Sequence, residues 1–286
     1  MRPIRMKRLP HAIAAGLCAV SLCIGAGGCG TSISVVTRGV AQGPTITIGV
    51  ASDQPGLGHL HGDEYSGFDI TVAKYVAKAL GFAEKQIVFK KVLPSTRVSS
   101  LADNVVDMVV DSFATDDAAD GEVSFSGPYL NVGETLLVRA DSVGTITGVD
   151  ALSGKTVCAA KGSAIADHVR DLSETANVEE RDSYPQCVTA LMMGQADAVA
   201  VDDAVASGLA SGRGSEYLNV VGKAFARRSY TVAVKSGQDS LTKQIDAALE
   251  SMVSDGSWER AVEDMVQQIG YVPDSALNPP SMADED

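Results

Sequence analysis

Stretches with a two-residue apolar rhythm alternate along this chain with stretches whose apolar positions recur at helical spacing, and the alternation runs through twice. PTITIGV (44–50) reads as a strand and leads into the turn-rich ASDQPGLGHLHGDEYSG. In FDITVAKYVAKALGF, Ile70, Ala73, Val76, Ala77 and Leu80 fall on one helical face, and Gly81 supplies the C-cap. QIVFKKV is a strand, TRVSSLADN a short helix, and VVDMVVD a strand ending at Asp111. GKTVCAAKGSA restarts the rhythm as a strand running into a Gly-Ser turn, followed by the helix AIADHVRDL, the segment NVEERDS and the helix PQCVTALMMG. ADAVAVDD is a strand ending in acids, YTVAV another strand, and SLTKQIDAALESMVSDG and SWERAVEDMVQQIG a closing helix pair. Such alternation predicts an α/β protein whose mainly parallel sheets are flanked by helices. Two units with a late return segment predict two lobes with a cleft between them.

A hydrophobic content of 45% with 5% aromatics fits a soluble core of Ala and Val, and the net charge of −13 argues against nucleic acid as a partner. The N-terminus departs from this composition. Arg2, Arg5, Lys7 and Arg8 precede the apolar AIAAGLCAVSLCI (12–24), which is too short to span a bilayer and fits a signal peptide. AGGC, ending at Cys29, resembles the lipobox of bacterial lipoproteins, although Ala26 stands where leucine is usual. That resemblance implies cleavage after residue 28 and lipidation of Cys29, hence a membrane-anchored, extracytoplasmic protein; ordinary secretion is the alternative. Cys158 and Cys187 then remain, and in an oxidising compartment they read as one disulfide, with two buried thiols as the alternative. His59, His61 and His168 have no metal-ligand spacing, so neither a metal nor a cofactor is expected.

Five stretches in order carry a family resemblance: DQPGLG (53–58), YSGFDITVAKYVAKALG (65–81), LADNVVDMVV (101–110), SFSGPYLNVGETLLV (124–138) and ADAVAVDDAVASGLA (196–210). With SDGSWERAVE (254–263) they make residues 44–272 similar to the bacterial extracellular solute-binding proteins of family 3, the amino-acid-binding components of ABC importers. DQPGLG and the cysteine pair look most like glutamate and glutamine-type members. The resemblance implies a two-lobed periplasmic-binding-protein fold of type II. Lobe 1 would be 44–130 plus 230–272 and lobe 2 131–229, with crossovers near Leu130–Gly133 and Ala226–Ser229 as the hinge. Residues 29–43 would be a tether and 273–286 a disordered acidic tail. The partners implied are a small polar solute and an ABC permease, with the protein a monomer.

By the same resemblance, Asp202 occupies the place of the carboxylate that holds a ligand ammonium, a role that a buried cation requires. Asp203 is expected to cap the next helix. Gly162 and Ser163 match the helix start whose N–H groups receive a carboxylate, with Ala164 replacing the usual hydroxyl. Arg97 matches a position that receives an acidic ligand side chain, a surface cation being the alternative. Asp53, Asp111, Ser112, Phe113 and Asp116 are the remaining candidate ligand contacts.

DSFATDDAADG (111–121) aligns on the family's carboxylate-binding turn, but Ala119 stands at the arginine position and Asp116 at a threonine. Like charge near a ligand carboxylate is unfavourable, more so once the cleft is dry. Arg227 and Arg228 are the cations that could compensate, two exposed loop arginines being the alternative. Asp117 and Asp120 are expected to face water. Three readings follow: an amino acid of the glutamate or glutamine type held with compensating arginines, a cationic or carboxylate-free solute in a negative cage, or a sensor with a degenerate site. A dehydratase on the same fold is a further alternative. No nucleophile triad or phosphate loop occurs, so a binding protein is expected rather than an enzyme.

Overall fold

The computed structural model describes residues 45–281. The expected signal peptide, Cys29, the expected tether and residues 282–286 lie outside the described residues. The apolar rhythm of PTITIGV forms β1 (Ile46–Val50), and the turn-rich stretch after it forms a small antiparallel sheet of β2 (Asp53–Gln54), β3 (Gly58–His61) and β4 (Glu64–Ser66). Gly67 turns the chain into helix α1 (Phe68–Ala79) with φ 114°, and a Cβ there would lie 2.1 Å from the Leu57 carbonyl oxygen. Only glycine fits both demands.

Strands β5 (Ile87–Lys91) and β6 (Met108–Ala114) flank β1 in parallel, with helix α2 (Arg97–Ala102) between them in sequence. Next comes the long β7 (Val123–Arg139). The second α/β unit comprises β8 (Thr156–Ala160), α3 (Ile165–Leu172), β9 (Asn177–Arg181), α4 (Tyr184–Met192), β10 (Ala198–Asp202) and α5 (Asp203–Leu209). The equally long β11 (Leu218–Lys235) returns the chain, and α6 (Asp239–Ser254) and α7 (Ser257–Ile269) close it. The eight large strands run in the order β5-β1-β6-β11-β7-β10-β8-β9.

Two lobes share this sheet. β11 pairs with β7 on both sides of a register irregularity between Val221 and Ala226, then with β6 from Tyr230 onward, whereas the far end of β7 pairs with β10. The two crossovers are therefore one antiparallel ribbon in which Arg228 opposes Val132 and Ser229 opposes Asn131. Sequence rhythm reveals only YTVAV of β11. Its polar part, KAFARRS, is strand because ladder bonding to β7 satisfies its backbone, whatever its side chains.

Burial on both faces explains why ADAVAVDD lacks polar alternation: Val199 and Val201 join the large core while Ala198 and Ala200 join a second one on the opposite face. Residues 273–281, expected to be a disordered tail, instead pack on the ribbon. Asn131 donates through its backbone N–H to Asn278 Oδ1 at 3.0 Å, and Asn278 Nδ2 donates back to the Asn131 carbonyl at 2.9 Å. This reciprocal pairing offsets the ordering cost that its polar composition suggested would go unmet.

Cys158 on β8 and Cys187 on α4 form a disulfide across 29 residues. Replacing both by serine is expected to lower stability by about 3–4 kcal/mol on the loop-closure relation. Urea titration of the double variant checks this; a loss below about 1 kcal/mol would show that the bridge constrains little.

Candidate functional site

The ends of β6 and β10 and the start of α2 face one another across the cleft, and they converge buried charges. Arg97, at the first turn of α2, is 1% exposed. Its Nε donates to Asp111 Oδ2 at 2.8 Å, Nη2 to the Asp111 carbonyl at 2.7 Å and Nη1 to Asp117 Oδ2 at 3.1 Å. The guanidinium also lies 4.9 Å from the centroid of the Phe113 ring. Arg97 is thus neither a surface cation nor a free receptor for an acidic side chain. Phe113 packs edge-on against Phe125 at 5.2 Å in a core cluster and supports Arg97 rather than walling an open pocket.

Ser112 has φ 48° and is buried. Its Oγ lies 2.9 Å from both Gln54 Oε1 and Asp69 Oδ2, while the Tyr129 hydroxyl donates to Asp69 Oδ1 at 3.0 Å. One hydroxyl hydrogen cannot serve two acceptors. Either a Gln54 amide turned so that its Nε2 donates to Ser112 Oγ or a proton on Asp69 resolves the conflict, and burial raises the Asp69 pKa to about 6. Ser112 therefore serves an internal network and is removed from the ligand contacts.

Asp117, expected to face water, instead has a side chain 1% exposed and lies between Arg97 and Arg228. Besides Arg97, it accepts from the Ala114 N–H at 3.3 Å, from the Ala164 N–H at 2.9 Å and from Arg228 Nη2. Two guanidinium groups and two backbone amides thus hold one carboxylate. Ala164 immediately precedes α3 and its amide binds an anion of the same chain, Asp117. The Ser163 N–H donates to the Ala160 carbonyl, so the bond comes from Ala164 rather than from the residues expected at this helix start, Gly162 and Ser163. The lobes touch here: a Cβ added to Gly162 would lie 2.5 Å from Ser95 Cα.

Arg228 is buried while its neighbour Arg227 is exposed, because successive strand residues point to opposite sides. The pair is strand, not loop. Arg228 Nη2 donates to Asp116 Oδ1 at 2.8 Å, and Nη1 to Ser163 Oγ at 3.2 Å and Asp202 Oδ2 at 3.4 Å. Glu134 Oε1 lies 3.5 Å from its Nε. Asp116, Asp117, Glu134 and Asp202 thus surround a single guanidinium.

Asp202 ends β10, and Tyr230 donates to its Oδ2 at 2.9 Å. Its Oδ1 is buried without a partner, as is Glu134 Oε2. Burial, reinforced by the charges of Asp117 and Glu134, pushes the Asp202 carboxyl up to about 7 against the pull of Arg228. Burial likewise raises Asp111 to about 7, against the pull of Arg97, and raises Glu134. Asp203, expected to cap α5, is instead its first residue, with Asp202 at the N-cap; burial raises its pKa, opposed by hydrogen bonds from the Gly133 N–H and the Tyr271 hydroxyl. Asp53, half-buried on β2, also has a raised pKa through burial and feels Arg97 only at a distance.

His168 adds a feature that its sequence spacing did not suggest. Its Nδ1 lies 2.7 Å from Glu134 Oε1 and its Nε2 3.7 Å from Asp116 Oδ2. The three residues could bring donor atoms within 4.8 Å of one another, as a metal ion would need. Arg228, within 3.5 Å of Glu134 and 2.8 Å of Asp116, already supplies positive charge at that point.

Sequence reasoning thus missed Asp117, Glu134, Asp69, His168 and Tyr230. Glu134 carried a usable signal, a lone acid inside the apolar strand VGETLLV. Asp117 carried none, since Asp116, Asp117 and Asp120 are equivalent until the turn is folded.

The family profile of bacterial extracellular solute-binding proteins, family 3, matches residues 46–268. The ABC transporter glutamine-binding protein GlnH of Bacillus subtilis is 34% identical over 226 residues, covering 78% of this chain and 81% of that protein. The glutamate-binding protein GluB of Corynebacterium efficiens is 32% identical over 224 residues, covering 75% of this chain and 76% of its own. Among solved structures, an ancestral arginine-binding protein bound to glutamine superposes with a TM-score of 0.71 at 26% identity, covering 81% of this chain and 100% of that one. Fold, motif order and these relatives agree: the chain belongs to the bacterial extracellular solute-binding proteins, family 3.

Proposed function

We propose that this protein captures a small polar solute of the amino-acid or amine class between its lobes and delivers it to an ABC permease. Asp202 carries the reading. It is buried at the end of a strand, has one oxygen without a partner and already faces a cation. Such a carboxylate is completed by an ammonium. The names of the relatives, which bind glutamine and glutamate, support an amino acid.

The charge balance narrows the class. Five carboxylates, Asp111, Asp116, Asp117, Glu134 and Asp202, stand against two guanidinium groups, Arg97 and Arg228, which favours a solute bearing net positive or zero charge over an acidic one. Binding would draw the lobes together, because only the closed state contacts the solute from both sides. The lobe limits 44–130 plus 230–272 and 131–229, lipid anchoring at Cys29 and a monomeric state belong to the same proposal. The relatives are solute-binding proteins, which supports a carrier over a dehydratase.

A thermal-shift panel on the chain from residue 30 onward, with acidic, neutral and basic amino acids and polyamines, tests this. A solute at a hundred times its Kd adds about 2.7 kcal/mol to stability. Neutral or basic members should raise the melting temperature, and Asp202→Ala should abolish the rise. A rise with glutamate alone, or one indifferent to Asp202→Ala, would overturn the assignment.

A further inference from the structure

We propose that Asp117 and Arg228 are the chain's own occupants of the solute site, an internal carboxylate and cation that an incoming solute must displace. The inference rests on the reading of the cleft as the solute site. Asp117 receives donors as a bound carboxylate would, from Arg97, Arg228 and the amides of Ala114 and Ala164. Arg228 presents its guanidinium to Asp202 as a bound ammonium would. Together the two side chains reproduce the separated charges of an α-amino acid, and each makes contacts on both sides of the cleft: Asp117 with Arg97 and Ala164, Arg228 with Asp116 and Asp202.

The pairing is dense enough to act as a latch. The Ala164 N–H bond joins the turn after β6 to the start of α3, across the approach of Gly162 to Ser95. A solute carboxylate competes for the donors that Arg97, Ala114 and Ala164 give Asp117, and a solute amine for the same Asp202. Apparent affinity falls by the fraction of molecules in which the seat is free, so a latch open 1% of the time weakens binding about a hundredfold. The latch therefore selects solutes that offer more contacts than Asp117 and Arg228 give up.

The test uses the full chain in detergent and the variants Asp117→Ala and Asp117→Asn. Alanine empties the carboxylate seat and leaves Arg97 with Asp111, and Arg228 with Asp116 and Asp202. Acetate should then raise the melting temperature of Asp117→Ala more than chloride at equal ionic strength, and leave the wild type unmoved. Exchange of the amide hydrogens of residues 160–172 should be faster in Asp117→Ala and slow again with acetate. Calorimetric titration with the amino acid that shifts the panel most should give at least tenfold tighter binding to Asp117→Ala than to the wild type.

Acetate acting no better than chloride, or unchanged exchange, overturns the latch. Equal or weaker amino-acid binding by Asp117→Ala also overturns it, and leaves the carrier reading standing. If no panel solute binds either protein, the carrier reading fails, while acetate rescue still upholds the latch and its absence refutes it. Should the alanine variant not fold, Asp117→Asn fills the same volume without the charge. Faster exchange at residues 160–172 supports the latch there, and an unchanged rate overturns it.

Discussion

Arg97→Ala is expected to lower stability by about 3–5 kcal/mol, the usual result of removing one partner from a buried ion pair. The alanine leaves Asp111 and Asp117, both with side chains 1% exposed, without the cation between them. Asp111 Oδ1 already has no partner, so the loss falls on a carboxylate with nothing in reserve. Phe113 loses the charge over its ring as well. Lysine should recover only part, because a single ammonium cannot reach the Asp111 carboxylate, the Asp111 carbonyl and Asp117 from three nitrogens. Replacing both Arg97 and Asp111 by apolar residues should be milder than Arg97→Ala alone, since no isolated charge is left from that pair. Denaturant titration of the single and double variants measures the difference. A single-variant loss below about 1 kcal/mol would refute the ion pair's role.

The second large effect is a stability that falls with rising pH. Burial raises the Asp69 carboxyl from 3.8 to about 6. The folded protein then binds more protons than the unfolded chain between those values. This contribution is fully present below pH 3.8 and is lost as pH rises through about 6. For Asp69 alone the loss is about 3 kcal/mol, at 1.36 kcal/mol per pKa unit. Asp69→Asn isolates it. The amide oxygen can accept from the Tyr129 hydroxyl, and the amide N–H can donate to Ser112 Oγ, which then donates to Gln54. The variant should be more stable than the wild type at pH 8 and nearly equal to it at pH 4. A difference between the two proteins that does not change with pH would sink this reading.

Solute affinity should run the other way. Asp202, raised to about 7, loses its charge as pH falls through that value and with it the attraction for an amine. Binding should therefore weaken on acidification while Asp69 makes the fold firmer.

Much of the architecture was legible because it rests on short-range pattern. The runs that became β1, β6 and β10 are apolar whatever surrounds them, and Gly81, read as a helix end, sits where the chain needs positive φ. Asp202 stands out in the sequence only because it matches a family position, and the structure buries it at the end of β10. The role of Ser112 was not legible, since it depends on Gln54 and Asp69.

Sequence by itself carried the alternation of strands and helices and the order of family motifs, and it offered the Cys158–Cys187 pair that the structure joins. Tertiary structure alone decided which acids and arginines meet. Arg228 rather than Arg227 enters the cleft through the register of β11 on β7, irregular between Val221 and Ala226, and Asp117 rather than Asp120 through the turn after β6. The reason is physical: side-chain direction in a strand follows from pairing with residues nearly a hundred positions away, and no local property of an arginine or an aspartate encodes that partner.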